Sequence, residues 1–348
     1  MDLKAFDDYV GQQRIIKQLL PDLAACLKQH KTAPHLVLYG RPGLGKDYLA
    51  LRIAQYLGAR VHMYFGSAIS RDRRWSWDNV FKQMKGPDPN NPWPGLDMAG
   101  FIRQPELLER HTVILNEAES IPTVAWEDLH AALVPDEEGR RTYPHFLNRT
   151  TGSYRTRWAP PFQMICLTNF ITRLRKNGMA AMDRCPMIAQ LQPYTEVELA
   201  NIVVYFSKKH NVDIDEPAAM KLSRCSKASP RRAEQLWQSC DNERALVDGK
   251  AILEQHVQSV MERCGIADDG LDEQDLDYLA ALADSPSGVG QDRLACVLGM
   301  PVDVLDTEIE PWLFQQKLIT VVTGAGRVLT QEGFERANRS GKSDLRFA

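Results

Sequence analysis

Gly40-Arg41-Pro42-Gly43-Leu44-Gly45-Lys46-Asp47 decides how the rest of the chain is read. An apolar run over residues 35–39 precedes it and a helical pattern over 47–57 follows. That is the strand-loop-helix context in which GxxxxGK binds phosphate. The glycines let successive backbone N–H groups converge on phosphate oxygens, the helix N-terminus adds positive potential, and the lysine reaches the terminal phosphates. Gly40, Pro42, Gly43, Leu44, Gly45, Lys46, Asp47 and Tyr48 are therefore the candidate nucleotide cradle for ATP or ADP. One position departs from the pattern. Where the motif carries Ser or Thr as a Mg²⁺ ligand, this chain has Asp47. A carboxylate there repels a triphosphate oxygen by about 3 kcal/mol per charge at an effective dielectric near 20, unless a cation intervenes.

Residues 112–115 are a second apolar run, ending at Asn116-Glu117. A Walker B strand ends in Asp-Glu, the Asp supporting Mg²⁺ and the Glu activating water. Here the Asp is Asn116 and the Glu is kept. A carboxylate is lost at one position and gained at the other. Two readings stand: a rearranged Mg²⁺ site using Asp47 and Asn116, or a nucleotide-binding scaffold that no longer hydrolyses.

Outward from these motifs, residues 1–191 alternate apolar strand runs with helical patterns, the signature of an α/β layer fold. A third strand is expected at 162–168 and a helix at 124–133. Residues 192–265 read as helices at 196–210, 216–225, 231–248 and 252–264, a lid. Residues 266–340 read as three helices, at 274–283, 290–298 and 302–316, and two β-runs, 318–323 and 327–330, around Gly324-Ala325-Gly326, a winged helix. Residues 341–348 form a tail. Residues 70–104 carry Arg71, Arg73, Arg74, Trp75, Trp77 and four prolines between 87 and 94. They read as an irregular insertion, helical near 77–84, serving as a surface excursion or as a contact for DNA or a partner.

The whole chain has 348 residues, 44% hydrophobic and 25% charged, with a net charge of −3. This excludes a disordered or fibrous chain and gives no bulk argument for nucleic-acid binding. No apolar stretch is long enough for a membrane span, and no secretory leader is read. Seven cysteines without a CxxC pair point to reduced, buried thiols in the cytosol.

With these residues in hand, the chain resembles the RuvB family of AAA+ branch-migration motors over nearly its whole length. Phe6-Asp7-Asp8-Tyr9-Val10-Gly11-Gln12 is similar to the family's adenine-packing segment, which implies Tyr9 and Val10 in the base pocket. Phe65-Gly66-Ser67-Ala68-Ile69 is similar to its SGPAI. Thr168-Asn169 resembles sensor 1, implying that Asn169 orients water at the γ-phosphate. Met182-Asp183-Arg184-Cys185 falls where the family carries its arginine finger. Arg184 would then reach a neighbouring subunit's nucleotide, which implies a homo-oligomer and, from the family, a hexameric ring. Ser229-Pro230-Arg231-Arg232-Ala233 is similar to sensor 2, with Arg231 approaching the γ-phosphate and Arg232 a helix-surface charge. Gly326-Arg327-Val328-Leu329-Thr330 resembles the family wing, implying a DNA-phosphate contact by Arg327, on branched or duplex DNA. The counterweight is charge: residues 266–348 hold fifteen Asp and Glu against seven Lys and Arg, so a protein-docking winged helix is the alternative. Residues 140–158 match the family's projecting hairpin, whose partner is a junction-recognition protein. Tyr143, Phe146, Leu147 and Tyr154 are the expected docking residues. Catalysis, if retained, would use Glu117, Asn169, Arg184 and Arg231.

Overall fold

The computed structural model describes residues 6, 9–72, 75–85, 107, 109–135, 137, 140–148 and 153–339. Most of the expected insertion, the hairpin turn with Gly152, the tail 341–348 and the side chains of Phe146 and Leu147 lie outside the described residues. The contacts divide the chain into two units, Met1–Arg41 with Gly45–Gln192, and Pro42–Leu44 with Pro193–Ala348.

The first unit runs α1 (Gln13–Lys28), β1 (Leu36–Tyr39), α2 (Lys46–Tyr56), β2 (Arg60–Phe65), α3 (Gly66–Arg71), α4 (Trp77–Gln83) and β3 (His111–Asn116). It continues through α5 (Thr123–Leu133), β4 (Arg141–Asn148), β5 (Ser153–Ala159), β6 (Gln163–Thr168), α6 (Ile171–Met182) and β7 (Met187–Gln190). Five strands form one parallel sheet in the order β2-β3-β6-β1-β7. Parallel strands covered on both faces are apolar without alternation. That is why Val113-Ile114-Leu115 and Met164-Ile165-Cys166-Leu167 are all buried. From β1 the chain crosses through α2 to the edge strand β2. From β6 it crosses through α6 to β7, on the other side of β1. The strand order therefore reverses around β1 and β6, and a ligand crevice is expected outside their carboxyl ends.

Strands β4 and β5 form a separate antiparallel hairpin with a bulge between Phe146 and Asn148. Its root is fixed. Tyr143 is buried, its ring 4.6 Å from that of Phe81, and its hydroxyl donates to Asp78 Oδ1 at 2.8 Å. Arg157 donates to the same oxygen at 2.7 Å, and Lys82 Nζ lies 2.6 Å from Asp78 Oδ2. Burial alone would raise the Asp78 carboxyl. The hydrogen bonds from Lys82 and Tyr143 and the charges of Arg157 and His145 outweigh it and hold the group below the usual range. The tryptophans at the start of the insertion pack inward: Trp77 is buried and donates to the Ala125 carbonyl at 2.6 Å.

The second unit begins with α7 (Glu196–Lys209), β8 (Asp213–Ile214), α8 (Glu216–Arg224), α9 (Pro230–Leu246), β9 (Ala251–Ile252) and α10 (Glu254–Arg263). Local signals start these helices. Thr195 and Glu198 form a reciprocal capping box, Asp215 accepts from the Ala218 N–H at 2.8 Å, and Pro230 opens α9. Caps of this kind contribute about 1 kcal/mol each. Then follow α11 (Glu273–Ala283), α12 (Gln291–Leu298), α13 (Val302–Val304), α14 (Glu310–Gln315), β10 (Ile319–Val322), β11 (Gly326–Leu329) and α15 (Gln331–Arg339). The expected single helix over 302–316 is interrupted by a π turn at Leu305–Ile309. Pro311 has no N–H to give the preceding turn, so the ladder is remade around it. The wing strands pair in antiparallel register, Ile319 with Leu329. Among the described residues no helix is long and apolar enough to cross a membrane. All seven cysteines are free; Cys264 and Cys296 are exposed, which corrects the expectation that the thiols are uniformly buried.

Candidate nucleotide-binding site

The phosphate loop closes on itself where β1 ends. The Gly40 N–H donates to the Thr168 carbonyl at 3.3 Å, tying the loop to the end of β6. Gly43 and Gly45 have φ of +80° and +78°. Those values suit glycine and admit the tight turn that points α2 at the crevice. Lys46 opens α2 and is buried. Its ammonium donates to the carbonyls of Gly40 at 2.7 Å and Arg41 at 2.9 Å, and to Asn169 Oδ1 at 2.7 Å. The loop lysine and the residue read as sensor 1 are thus in direct contact, 123 positions apart in sequence. Asn169 follows β6, and the Thr168 hydroxyl accepts from the Phe170 N–H at 3.0 Å, which fixes the exit of the strand.

Glu117 follows β3 with φ of +53°, in the left-handed region. The Asn116 side chain holds it there by accepting the Glu117 N–H at 2.9 Å. A third residue shapes this turn, one that sequence reasoning noted only as part of a similarity. Gly66 opens α3 so close that a Cβ would lie 2.1 Å from the Glu117 carbonyl oxygen. The signal was the glycine in Phe65-Gly66-Ser67, whose partner in space could not be read from sequence. Asp47 stands exposed on the first turn of α2, and neither it nor Glu117 has a side-chain hydrogen bond or ion pair among the described residues. The described residues contain no group of three His, Cys, Asp or Glu that could hold a metal ion.

Tyr9 is buried and stacks on Tyr48, ring centroids 5.6 Å apart and planes at 16°. Tyr48 is 40% exposed and its hydroxyl accepts from Arg52 at 2.6 Å. Val10 is half-buried beside Tyr9. Arg184 follows α6, exposed, with no ion pair among the described residues.

In the second unit, the backbone N–H of Arg231 donates to the Gly43 carbonyl at 3.3 Å, and Tyr194 donates to the Leu44 carbonyl at 3.4 Å. The Arg231 side chain is exposed and without an ion pair among the described residues. Arg232 is not a free surface charge: it pairs with Asp272 at 2.9 Å.

Two placements correct the sequence reading. Arg327 does not stand free for phosphate. Its Nε and Nη2 each lie 3.0 Å from the Glu310 carboxylate, which also accepts from Tyr278 at 2.8 Å. Glu310 is buried, so the pair is a fixed strut between wing and helix. Burial works against the Arg327 charge, but the Glu310 hydrogen bond and charge outweigh it and hold the guanidinium pKa above its usual value. Tyr143 does not face a partner either, because it is part of the hairpin root. Tyr154, 58% exposed, is the docking candidate with a described, outward side chain.

The comparisons with known proteins agree with this fold. The family profile for the RuvB Holliday junction DNA helicase P-loop domain matches residues 1–78, and that for the RuvB C-terminal winged helix domain matches residues 268–337. The RuvB subunit of the Holliday junction branch migration complex of Prochlorococcus marinus (strain NATL2A) is 28% identical over 330 residues, covering 94% of this chain and 83% of that protein. Its counterpart from Anaeromyxobacter sp. (strain K) is 28% identical, covering 96% of this chain and 89% of that protein. The solved Thermotoga maritima RuvB branch migration motor shares the fold with a TM-score of 0.73 at 23% identity, over 95% of this chain and 96% of that one. An α/β P-loop sheet, a helical lid, a winged helix and these matches together make the chain a RuvB-like AAA+ protein.

Proposed function

We propose that this chain is an oligomeric ATPase that binds ATP or ADP and acts on DNA in recombination, as its relatives' names describe for them. The observation that carries this is the Lys46–Asn169 contact at the mouth of β1 and β6, beside a strand that ends in Glu117. In this reading Lys46 exchanges its loop carbonyls for phosphate oxygens. Asn169 orients the attacking water and Glu117 takes its proton. Arg184, exposed and unpaired, supplies charge to a neighbouring subunit's nucleotide, and Arg231 does so from the lid.

When bound, Mg²⁺ would supply charge neutralisation to the phosphates. The donors fit a sparse site. Asp47 is a free carboxylate at the loop, whereas the Asn116 amide oxygen already accepts the Glu117 N–H. Mg²⁺ is commonly held by one or two carboxylates, with phosphates and waters completing its shell, so Asp47 would serve as its protein ligand. A double-mutant cycle tests this. Asp47→Thr with Asn116→Asp is expected to retain more turnover than either single variant, with a coupling of about 1–3 kcal/mol. Additive losses exclude the exchange.

The engaged Arg327 and the acidic winged helix favour a second reading, a nucleotide-binding scaffold that docks DNA or protein without turnover. Steady-state ATP hydrolysis with Mg²⁺, with and without branched DNA, separates the two. Turnover abolished in Lys46→Ala supports the motor. A wild type no faster than that variant supports the scaffold. Tyr154 and the hairpin over residues 140–158 are the proposed protein-docking surface.

A further inference from the structure

Just before α9, two consecutive non-glycine residues are left-handed: Lys227 with φ of +46° and Ala228 with φ of +55°. L-residues are crowded in this region and stay there only where their surroundings over-determine them. The surroundings here are ionic. The buried Lys227 ammonium lies 2.7 Å from Asp272 Oδ2 and 2.5 Å from Asp275 Oδ2. Both carboxylates belong to the start of α11, the first helix of the winged helix. Asp272 accepts the Asp275 N–H at 3.2 Å, and Asp275 accepts the Asp272 N–H at 2.9 Å, so the cluster and the helix cap are one structure. Arg232 closes it, bonded to Asp272 and, at 3.2 Å, to the Cys225 carbonyl. Ala228 packs into the winged-helix core with Leu271, Tyr278 and Leu279.

The other end of this turn meets the phosphate loop. The Ser229 hydroxyl and the Arg231 N–H both donate to the Gly43 carbonyl, at 3.4 and 3.3 Å. A Cβ at Gly43 would lie 2.5 Å from Ser229 Oγ. Contacts therefore run without a gap from α11, through Lys227 and Ala228, to the phosphate-loop glycine. Asp275 is fully buried. A shift of α11 would leave it without its cation, so the arrangement favours two discrete positions over a graded slide.

We propose that Lys227, Asp272 and Asp275 are positioning residues for Arg231, through which the winged helix sets where the lid arginine stands against the phosphate loop. The inference rests on the nucleotide-binding reading above. Coupling is reciprocal: a polymer held by the winged helix and a nucleotide at the loop each change the affinity for the other.

The test uses the full chain and two readouts, titration with a fluorescent ADP analogue and amide hydrogen exchange over residues 228–231. Asp275→Asn is expected to weaken ADP binding about five- to tenfold and to speed exchange in that stretch by about tenfold. Adding Ala228→Gly should restore both, because glycine keeps the left-handed turn without the clamp. Lys227→Arg, which keeps the charge but cannot place one ammonium between two carboxylates, should repeat the loss if Asp275→Asn fails to fold. A lowered Tm with unchanged ADP affinity and unchanged exchange overturns the proposal, as does failure of Ala228→Gly to restore affinity. If wild type binds ADP no better than Lys46→Ala, the nucleotide reading itself fails and takes this inference with it.

Discussion

Lys46 and Arg327 are both cations that the sequence marks for phosphate, and the structure gives them opposite surroundings. Lys46 donates to three neutral oxygens, two carbonyls and an amide. Arg327 sits on a buried carboxylate that a tyrosine also holds. Neutral acceptors yield to a phosphate at little cost, because the incoming anion makes stronger charge-assisted bonds. A buried carboxylate does not yield, since removing its cation leaves an uncompensated charge. The partner a cation has already engaged therefore decides its role as much as the motif that contains it.

That contrast breaks most visibly at Arg327. Arg327→Ala is expected to destabilise the winged helix by about 3–5 kcal/mol, read as a shifted unfolding midpoint in urea. A midpoint within error of wild type, together with weakened DNA binding, would return Arg327 to phosphate contact. Lys46→Ala should do the reverse. It should leave the urea midpoint almost unmoved and cost turnover by about 10²–10³-fold, the loss of one electrostatic donor at a reacting phosphate.

Gly66 sharpens the comparison, because it acts by geometry with no charge. Gly66→Ala must push back the Glu117 carbonyl. Turnover should fall by about 10²-fold, while ADP affinity stays within about twofold. Equal losses in both would mean that the loop, and not Glu117, has moved.

The last effect is with pH. Burial holds His35 and His111 at about 4, well below an ordinary imidazole. For such a group the stability is complete above the unfolded pKa near 6.5 and is lost as pH falls toward 4. About 1–3 kcal/mol per histidine should leave the first unit over that window. In the second unit, Asp272 is held well below the carboxylate range. Burial works against that, and the Lys227 and Arg232 charges outweigh it, so this group loses stability only in stronger acid. Burial lifts its neighbour Asp275 to about 6, so that carboxyl loses no stability as pH falls through the same window. Thermal melts at pH 6.5 and 4.5 should show the first unit weakening first. His35→Gln should flatten that dependence.

The sequence discloses the parts of the fold that carry continuous apolar runs or local punctuation. The strands β1, β3 and β6 are such runs, and α7 and α9 begin at a capping box and a proline. The edge strand β2 mixes Arg60, His62 and Phe65 and is partly exposed, so neither period marks it. Its mate at the other edge, β7, is four residues long. The loop glycines and Lys46 are legible because consecutive residues make the cradle. The ties of Arg327 to Glu310 and of Lys227 to Asp272 are not, because they join residues 17 and 45 positions apart. Tyr143 fails for a related reason: an aromatic in a hairpin reads the same whether it faces a partner or Phe81.

The hairpin root has a mechanical consequence. A two-stranded ribbon fixed at one end is a cantilever, and load applied near Tyr154 is borne as torque where Tyr143 and Arg157 grip Asp78. Asp78 is the neighbour of Trp77, whose indole is bonded to α5 through the Ala125 carbonyl. The molecule thus carries a strain gauge at its own hinge, and the emission of one buried tryptophan should report any pull on the ribbon.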